Sequence, residues 1–267
     1  MKFNTFHRVN RAVITLTLGL MASTALADSY DDGLIAYVNG HYAEASESFM
    51  ASAEQGNAGA EQMLMRLYSE GKIQTSNTDQ EALKWTKKAA QDGIMQAQFA
   101  LADIYANKLG KYKEAVKWYR QAARQGHPVA YYRLGEIFKN GAGEVNANSD
   151  TSKKMYQIAA SELTVFAQKG DPEQQYLLGD MYHKAKGVKK NMKLALKWIG
   201  ESAIHGNALA QYTLGSLYAM GEDVDKDLTK AKYWLNMAAA QGLGTATAML
   251  DEMKSKSHAE VALVNSL

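Results

Sequence analysis

The sequence predicts an all-α fold, a solenoid of stacked helix-turn-helix hairpins, on three observations. Glycines recur at Gly56, Gly93, Gly126, Gly170, Gly206 and Gly242, separated by 37, 33, 44, 36 and 36 residues. Four residues after each stands Ala60, Ala97, Ala130, Gln174, Ala210 or Ala246, and four further on Leu64, Leu101, Leu134, Leu178, Leu214 or Leu250. All four tryptophans, Trp85, Trp118, Trp198 and Trp234, lie eight residues before a closing glycine. A period of this length marks units that cannot bury their apolar side alone and must stack on their neighbours.

The elements follow in chain order. Residues 1–27 read as a secretory signal: Lys2, Arg8 and Arg11 precede the apolar run Ala12–Ala22, and Ala25–Ala27 offers the small residues of a cleavage site. No cysteine follows that run, so a lipoprotein anchor is not expected. Residues 28–257 read as the solenoid. It opens with a partial repeat over 30–56, in which Ala45 holds the alanine position and Ser48 the tryptophan position. Full repeats are expected at about 57–93, 94–126, 127–170, 171–206 and 207–242, a capping helix over 246–256 and a loose tail over 258–267.

Within each first helix the small residue, the leucine and an aromatic (Tyr68, Tyr105, Phe138, Tyr182 or Tyr218) are spaced i, i+4, i+8, a single buried stripe. Gly135, Gly179 and Gly215 lack a Cβ just after the leucine and allow the second helix to come close. Asn57, Asp171 and Asn207 are good N-caps, and Asn191 and Asp227 open second helices seven residues before their tryptophan. The third copy is irregular, with Tyr156 at the tryptophan position if Ser149 is its cap, and a lengthened second helix is expected from about Thr151 to Gln168.

These residues resemble a known family. The pattern A-x-x-x-L-G-x-x-Y, a glycine-bearing loop, K-A-x-x-W, A-A and a closing glycine is similar to the Sel-1-like repeat, a relative of the tetratricopeptide repeat, over roughly Tyr30 to Met253. The resemblance implies a right-handed α-solenoid whose first helices line a concave groove. It further implies a protein-binding scaffold, with envelope assembly, sensor regulation or host contact as the roles of exported members. Met65 and Ala102 depart from the glycine of the first helix.

At about 100° per residue, positions two, six and nine after the small residue lie opposite the stripe. They supply the candidate groove: Phe99 and Asp103 from the second full copy, Tyr132, Glu136 and Lys139 from the third, Tyr176, Asp180 and His183 from the fourth, and Tyr212 and Ser216 from the fifth. Aromatics amid mixed charge suit a protein or peptide partner. The opposing reading makes the same aromatics packing residues of the repeat.

Charge narrows the classes. Without Lys2, Arg8 and Arg11 the chain has 27 basic and 28 acidic residues, a net −1, which offers no bulk attraction to nucleic acid or an anionic membrane. No later stretch is long and apolar enough to span a bilayer. His183–Lys193 concentrates lysines, Gly221–Asp227 carries acids, and the two loops are expected to attract each other in solvent.

Cysteine is absent, the histidines are scattered without ligand spacing, and Ser202 and His205 have no identifiable orienting acid. The reading is therefore a non-catalytic, periplasmic or secreted scaffold with no cofactor and no metal. Two alternatives stand beside it. One is a cell-wall hydrolase or β-lactam-binding enzyme like the cysteine-rich relatives, and the other is a module binding peptidoglycan or polysaccharide.

Overall fold

Punctuation by glycine and cap residues sets the helices. A computed structural model of the protein describes residues 29–73, 78–221 and 223–265, and the secretory signal read at 1–27 lies outside them. Helix α1 covers residues 29–38. There follow α2 (Tyr42–Glu54), α3 (Ala58–Ser69), α4 (Thr78–Gln91), α5 (Met95–Asp103), α6 (Tyr112–Arg124), α7 (Ala130–Asn140), α8 (Ser149–Gln168), α9 (Pro172–His183), α10 (Met192–Ile204), α11 (Ala208–Met220), α12 (Leu228–Ala240) and α13 (Gly244–Asn265). α5 runs on into a π-helical turn, Ile104–Lys108, which absorbs the short loop of that copy.

The caps are made as the residue types require. Asn57, Asn191 and Asn207 accept from the N–H three residues on at 3.2, 3.1 and 2.9 Å. Asp171 and Asp227 each accept two such bonds, and Pro172 occupies the first turn of α9, where its missing N–H costs nothing. The cap of α8 is Asn148 rather than Ser149: its side chain accepts from Thr151 at 2.8 Å, and the helix starts two residues before the expected Thr151.

The chain divides into two units at Gln125/Gly126. In the first, α2 packs on α3, α3 on α4, α4 on α5 and α5 on α6. In the second, α7 packs on α8 and each later helix on its predecessor, through to α13. Each unit is thus an all-α stack in which a second helix serves two first helices. Among the described residues the extended structure is a single bridge, Ala142 with Val145, inside the α7–α8 loop.

The seam is dry where the spacing placed it. Ala60, Leu64, Ala97, Leu101, Ala130, Leu134, Ala195 and Ala210 are buried, with Trp85 in the first cluster beside Phe49, Leu64, Leu67 and Tyr68. In the opening partial repeat the apolar residue is Phe49, one position past Ser48, and it packs on the ring of Tyr30 at 5.7 Å. The tryptophan position is not uniformly buried: Trp85 is 2% and Trp198 9% exposed, whereas Trp118 and Trp234 are only half-buried at the edges of their clusters. α13 also departs from expectation, continuing to Asn265 through the region read as a tail.

Glycine in the first helices is a matter of space. A Cβ on Gly179 would sit 2.6 Å from Ile199 Cγ1 and 2.9 Å from the Ile199 backbone nitrogen. Gly179→Ala is therefore expected to lower stability by about 1–3 kcal/mol, because α10 must back away from α9. Chemical denaturation measures it, and an unchanged midpoint would show that the hairpin is looser than described.

Sequence reading overlooked a polar clamp at four of the closing turns. Gln98, Gln175 and Gln211 are buried and donate through Nε2 to the carbonyls of Ala90, Ala167 and Ala203 at 3.2, 3.1 and 3.1 Å. Those carbonyls lie in the last turn of a helix, where no intrahelical donor remains. Each Oε1 is met in turn: Gln125 Nε2 at 2.7 Å from Gln98, Gln241 Nε2 at 2.8 Å from Gln211, and His205 Nδ1 at 3.3 Å from Gln175. In the first full copy the position holds Glu61, fully buried, with Lys88 Nζ at 2.7 Å and also bonded to the Ala53 carbonyl. Burial, with Asp92 adding to it, raises the Glu61 carboxyl above its ordinary range against the pull of Lys88. The glutamine five residues after Gly93, Gly170 and Gly206 was the available signal.

Candidate functional site

The first helices present the positions that the seam leaves free, and the structure sorts the ten candidates. In the first unit, Phe99 on α5 is half-buried and its ring lies 5.5 Å from that of Tyr119, while Asp103 accepts a hydrogen bond from the Tyr119 hydroxyl. Both are spent on the α5–α6 hairpin.

In the second unit, Tyr132, Asp180 and Ser216 are buried, which corrects the expectation that they line an open groove. For Tyr132 and Asp180 the cause is the loop after α9. Gly187 has φ +69°, and a Cβ there would lie 2.5 Å from the Tyr156 carbonyl carbon, so only glycine lets the loop press on α8. The neighbouring Lys186 is thereby driven inward. Its Nζ stands 2.7 Å from Tyr132 Oη, 2.8 Å from Glu136 and 3.1 Å from Asp180, and 4.8 Å from the Tyr132 ring centroid. Tyr132 Oη donates to Asp180 at 3.3 Å, Tyr156 donates to Glu136, and Lys184 pairs with Asp180 at 2.6 Å. Ser216 Oγ, on α11, lies 3.3 Å from Met249 Sδ.

The electrostatics are those of a closed ion cluster. Burial alone would raise the carboxyls of Asp180 and Glu136, but hydrogen bonds and charge from Lys186, with Lys184 at Asp180, hold both below their usual range. Burial would lower Lys186, yet its bonds to Glu136 and Tyr132 raise it, so the amine stays protonated. Burial pushes the Tyr132 hydroxyl up to about 12. Such a cluster supplies neither a free base nor a neutral amine at neutral pH.

The remaining candidates stay accessible in part. Tyr176 on α9 and Tyr212 on α11 are half-buried, the first against the cluster of Ala195, Ile199 and Leu214, the second against that of Leu235, Ala238 and Leu250. Each therefore wedges one hairpin against the next while showing an edge to solvent. Lys139 is exposed at the end of α7. His183 Nε2 lies 3.1 Å from Asp223, which also takes Lys190 at 2.8 Å, so the basic and acidic loops do meet. Ser202 and His205 do not form a dyad: the serine donates to the Pro172 carbonyl at 2.6 Å and the histidine faces Gln175. Among the described residues no group of three or more His, Cys, Asp and Glu side chains converges as metal ligands.

The Sel1 repeat pattern matches residues 59–94, 96–127, 128–162, 172–207 and 208–243, which is more than half of the chain. This chain belongs to the Sel1 repeat family. The residues of α8 beyond 162 fall outside the third match, consistent with the extra length of that helix. The Sel1 chain is similar to the solved structure of a Sel1 repeat protein from Oxalobacter formigenes, 32% identical over 81% of this chain and 86% of that one, with a TM-score of 0.60. A protective antigen of uropathogenic Escherichia coli strains displaying an SLR fold is 23% identical over 87% of this chain and 65% of that one, with a TM-score of 0.36. An immunity protein from Pseudomonas aeruginosa is 19% identical over 81% and 82% of the two chains, with a TM-score of 0.49. No curated protein matches the sequence.

A Sel1 repeat stack is a protein-interaction module in its general character. No described helix is long and apolar enough to cross a membrane.

Proposed function

We propose that this Sel1 repeat protein is an exported, non-catalytic scaffold of the cell envelope that holds a protein or peptide partner on the first-helix face of its second unit. The basic-apolar-small order of residues 1–27 supports export, and with it a location in the periplasm or outside the cell. The observation that carries the binding reading is the pair Tyr176 and Tyr212. They occupy the same repeat position on successive first helices α9 and α11, and each keeps an exposed edge although its body is packed. Half-seated aromatics lose little conformational entropy on binding and serve as anchors. His183 beside Asp223, and Lys139, add polar contacts at the rim.

In-cell crosslinking with mass spectrometry is expected to recover a protein neighbour crosslinked to α9 or α11. Tyr212→Ala is expected to reduce its capture tenfold or more while the purified variant still melts cooperatively. A variant that captures the partner as well as the parent refutes the face. Turnover of nitrocefin or of muropeptides by the pure protein refutes the non-catalytic reading.

A further inference from the structure

The lysine-rich loop at 183–193 draws the eye in the sequence, but the structure neutralises it: Lys184 and Lys186 are paired with Asp180 and Lys190 with Asp223. The strongest cationic surface lies elsewhere. Between Lys84 and Arg124 the chain has nine basic and three acidic residues, in a protein otherwise balanced. Lys113, Lys117, Arg120 and Arg124 are spaced i, i+4, i+7 and i+11, a single stripe along α6, and all are exposed. Lys84 and Lys87 stand at the equivalent repeat positions on α4 and are exposed too. Both helices pack on α5, and equivalent positions of successive repeats face the same side. The six cations therefore share one outer face of the first unit.

This is not what the repeat demands. The same positions on α8, α10 and α12 hold two lysines, Lys193 and Lys197, and one acid, Glu162. Lys84 is paired with Glu81 at 3.5 Å, and Glu81 and Glu114 are half-buried, so the face keeps a net positive charge.

We infer that this face docks on the surface of an anionic phospholipid bilayer. The chemistry of the face selects that occupant. A protein epitope needs apolar or aromatic anchors at its centre, and of the two indoles here Trp85 is 2% exposed and only the half-buried Trp118 could show an edge. Single strands of nucleic acid need stacking platforms, which the stripe lacks. A duplex offers phosphates too, but the export proposed above, on which this choice of occupant rests, sets the protein beside lipid rather than nucleic acid. What remains is a broad array of long, mobile cations without a pocket, matched to a fluid array of phosphates. Binding by such a face is electrostatic, and each cation strengthens it about fivefold.

The test is co-sedimentation of the purified protein with vesicles of phosphatidylcholine, with and without about 30% phosphatidylglycerol, as salt is raised through the physiological range. The protein is expected to pellet only with the anionic vesicles, and less so at higher salt. The variant Lys113→Glu/Lys117→Glu/Arg124→Glu is expected to lower partitioning about a hundredfold or more. A milder set, Lys113→Gln/Lys117→Gln/Arg124→Gln, keeps the test open if charge reversal harms folding. The control Lys189→Glu/Lys193→Glu/Lys197→Glu changes net charge equally in the second unit and is expected to keep binding. Equal loss in both charge-reversed proteins, no binding to anionic vesicles, or preferential capture by a DNA duplex over the vesicles would each overturn the inference.

Discussion

Lys186→Met is expected to destabilise the second unit by about 3–5 kcal/mol, the range for removing one member of a buried ion cluster. The side chain is 9% exposed and its Nζ touches Tyr132, Glu136 and Asp180 at once. Methionine fills the volume but leaves the largely buried Asp180 with Lys184 alone and Glu136 without its cation. Restoring neutrality by Glu136→Gln in the same protein, with Asp180 left to Lys184, is expected to recover part of the loss, so a double-mutant cycle separates charge from packing. The pH dependence follows from the depressed carboxyls of Asp180 and Glu136. Their stabilisation is fully present above the ordinary carboxylate range, near 3.8 for Asp and 4.5 for Glu, and is lost as pH falls below it. Urea midpoints of the parent are thus expected to drop on acidification through that range, and those of the Lys186→Met protein to drop less. An acid limb unaltered by the substitution would show that the cluster does not hold the α7–α8 and α9–α10 hairpins together.

Trp85→Ala is expected to cost about 3–5 kcal/mol in the first unit. The indole is 2% exposed and fills the space among Ala45, Phe49, Leu64, Leu67 and Tyr68, residues from α2 and α3. Among the described residues its buried Nε1 has no hydrogen-bond partner, so the loss is mainly one of packing, and Trp85→Phe is expected to cost less than half as much. The same truncation at Trp118 is expected to cost less than at Trp85, since that ring is only half-buried. Denaturation curves followed by far-UV circular dichroism read all three. Equal costs at Trp85 and Trp118 would mean that exposure at this position does not govern its energy.

The difference between these tryptophans shows how far the sequence reaches. Their shared offset from the closing glycine identifies the repeat and the face they occupy, because periodicity is a local property. How deeply each is covered depends on what its neighbours contribute, and position alone does not reveal that. The same division runs through the candidate site. The spacing correctly placed Tyr132, Tyr176 and Tyr212 at one repeat position. It gave no hint that Tyr132 is sealed under a lysine 54 residues away in sequence. Gly187 was the residue that allowed this, and in the sequence it reads as an ordinary loop glycine. The Gln98, Gln175 and Gln211 clamps were more legible in principle, since a glutamine recurs at that position in three of the five full copies. They escaped because a glutamine near a helix start looks solvated until the last-turn carbonyl it serves is in view.

By itself, then, the sequence determined the hairpin, the number of full copies, most of the caps and the dry Ala-Leu seam. All of these are set by helix periodicity and by residues within one or two turns of each other. The tertiary structure decided which free positions are truly free. It closed the face around Tyr132 and Asp180, left edges of Tyr176 and Tyr212 showing, and aligned the cations of α4 and α6 on one side. The reason is physical: helical phase follows from counting residues, whereas burial and the neutralisation of charge depend on where distant loops come to rest.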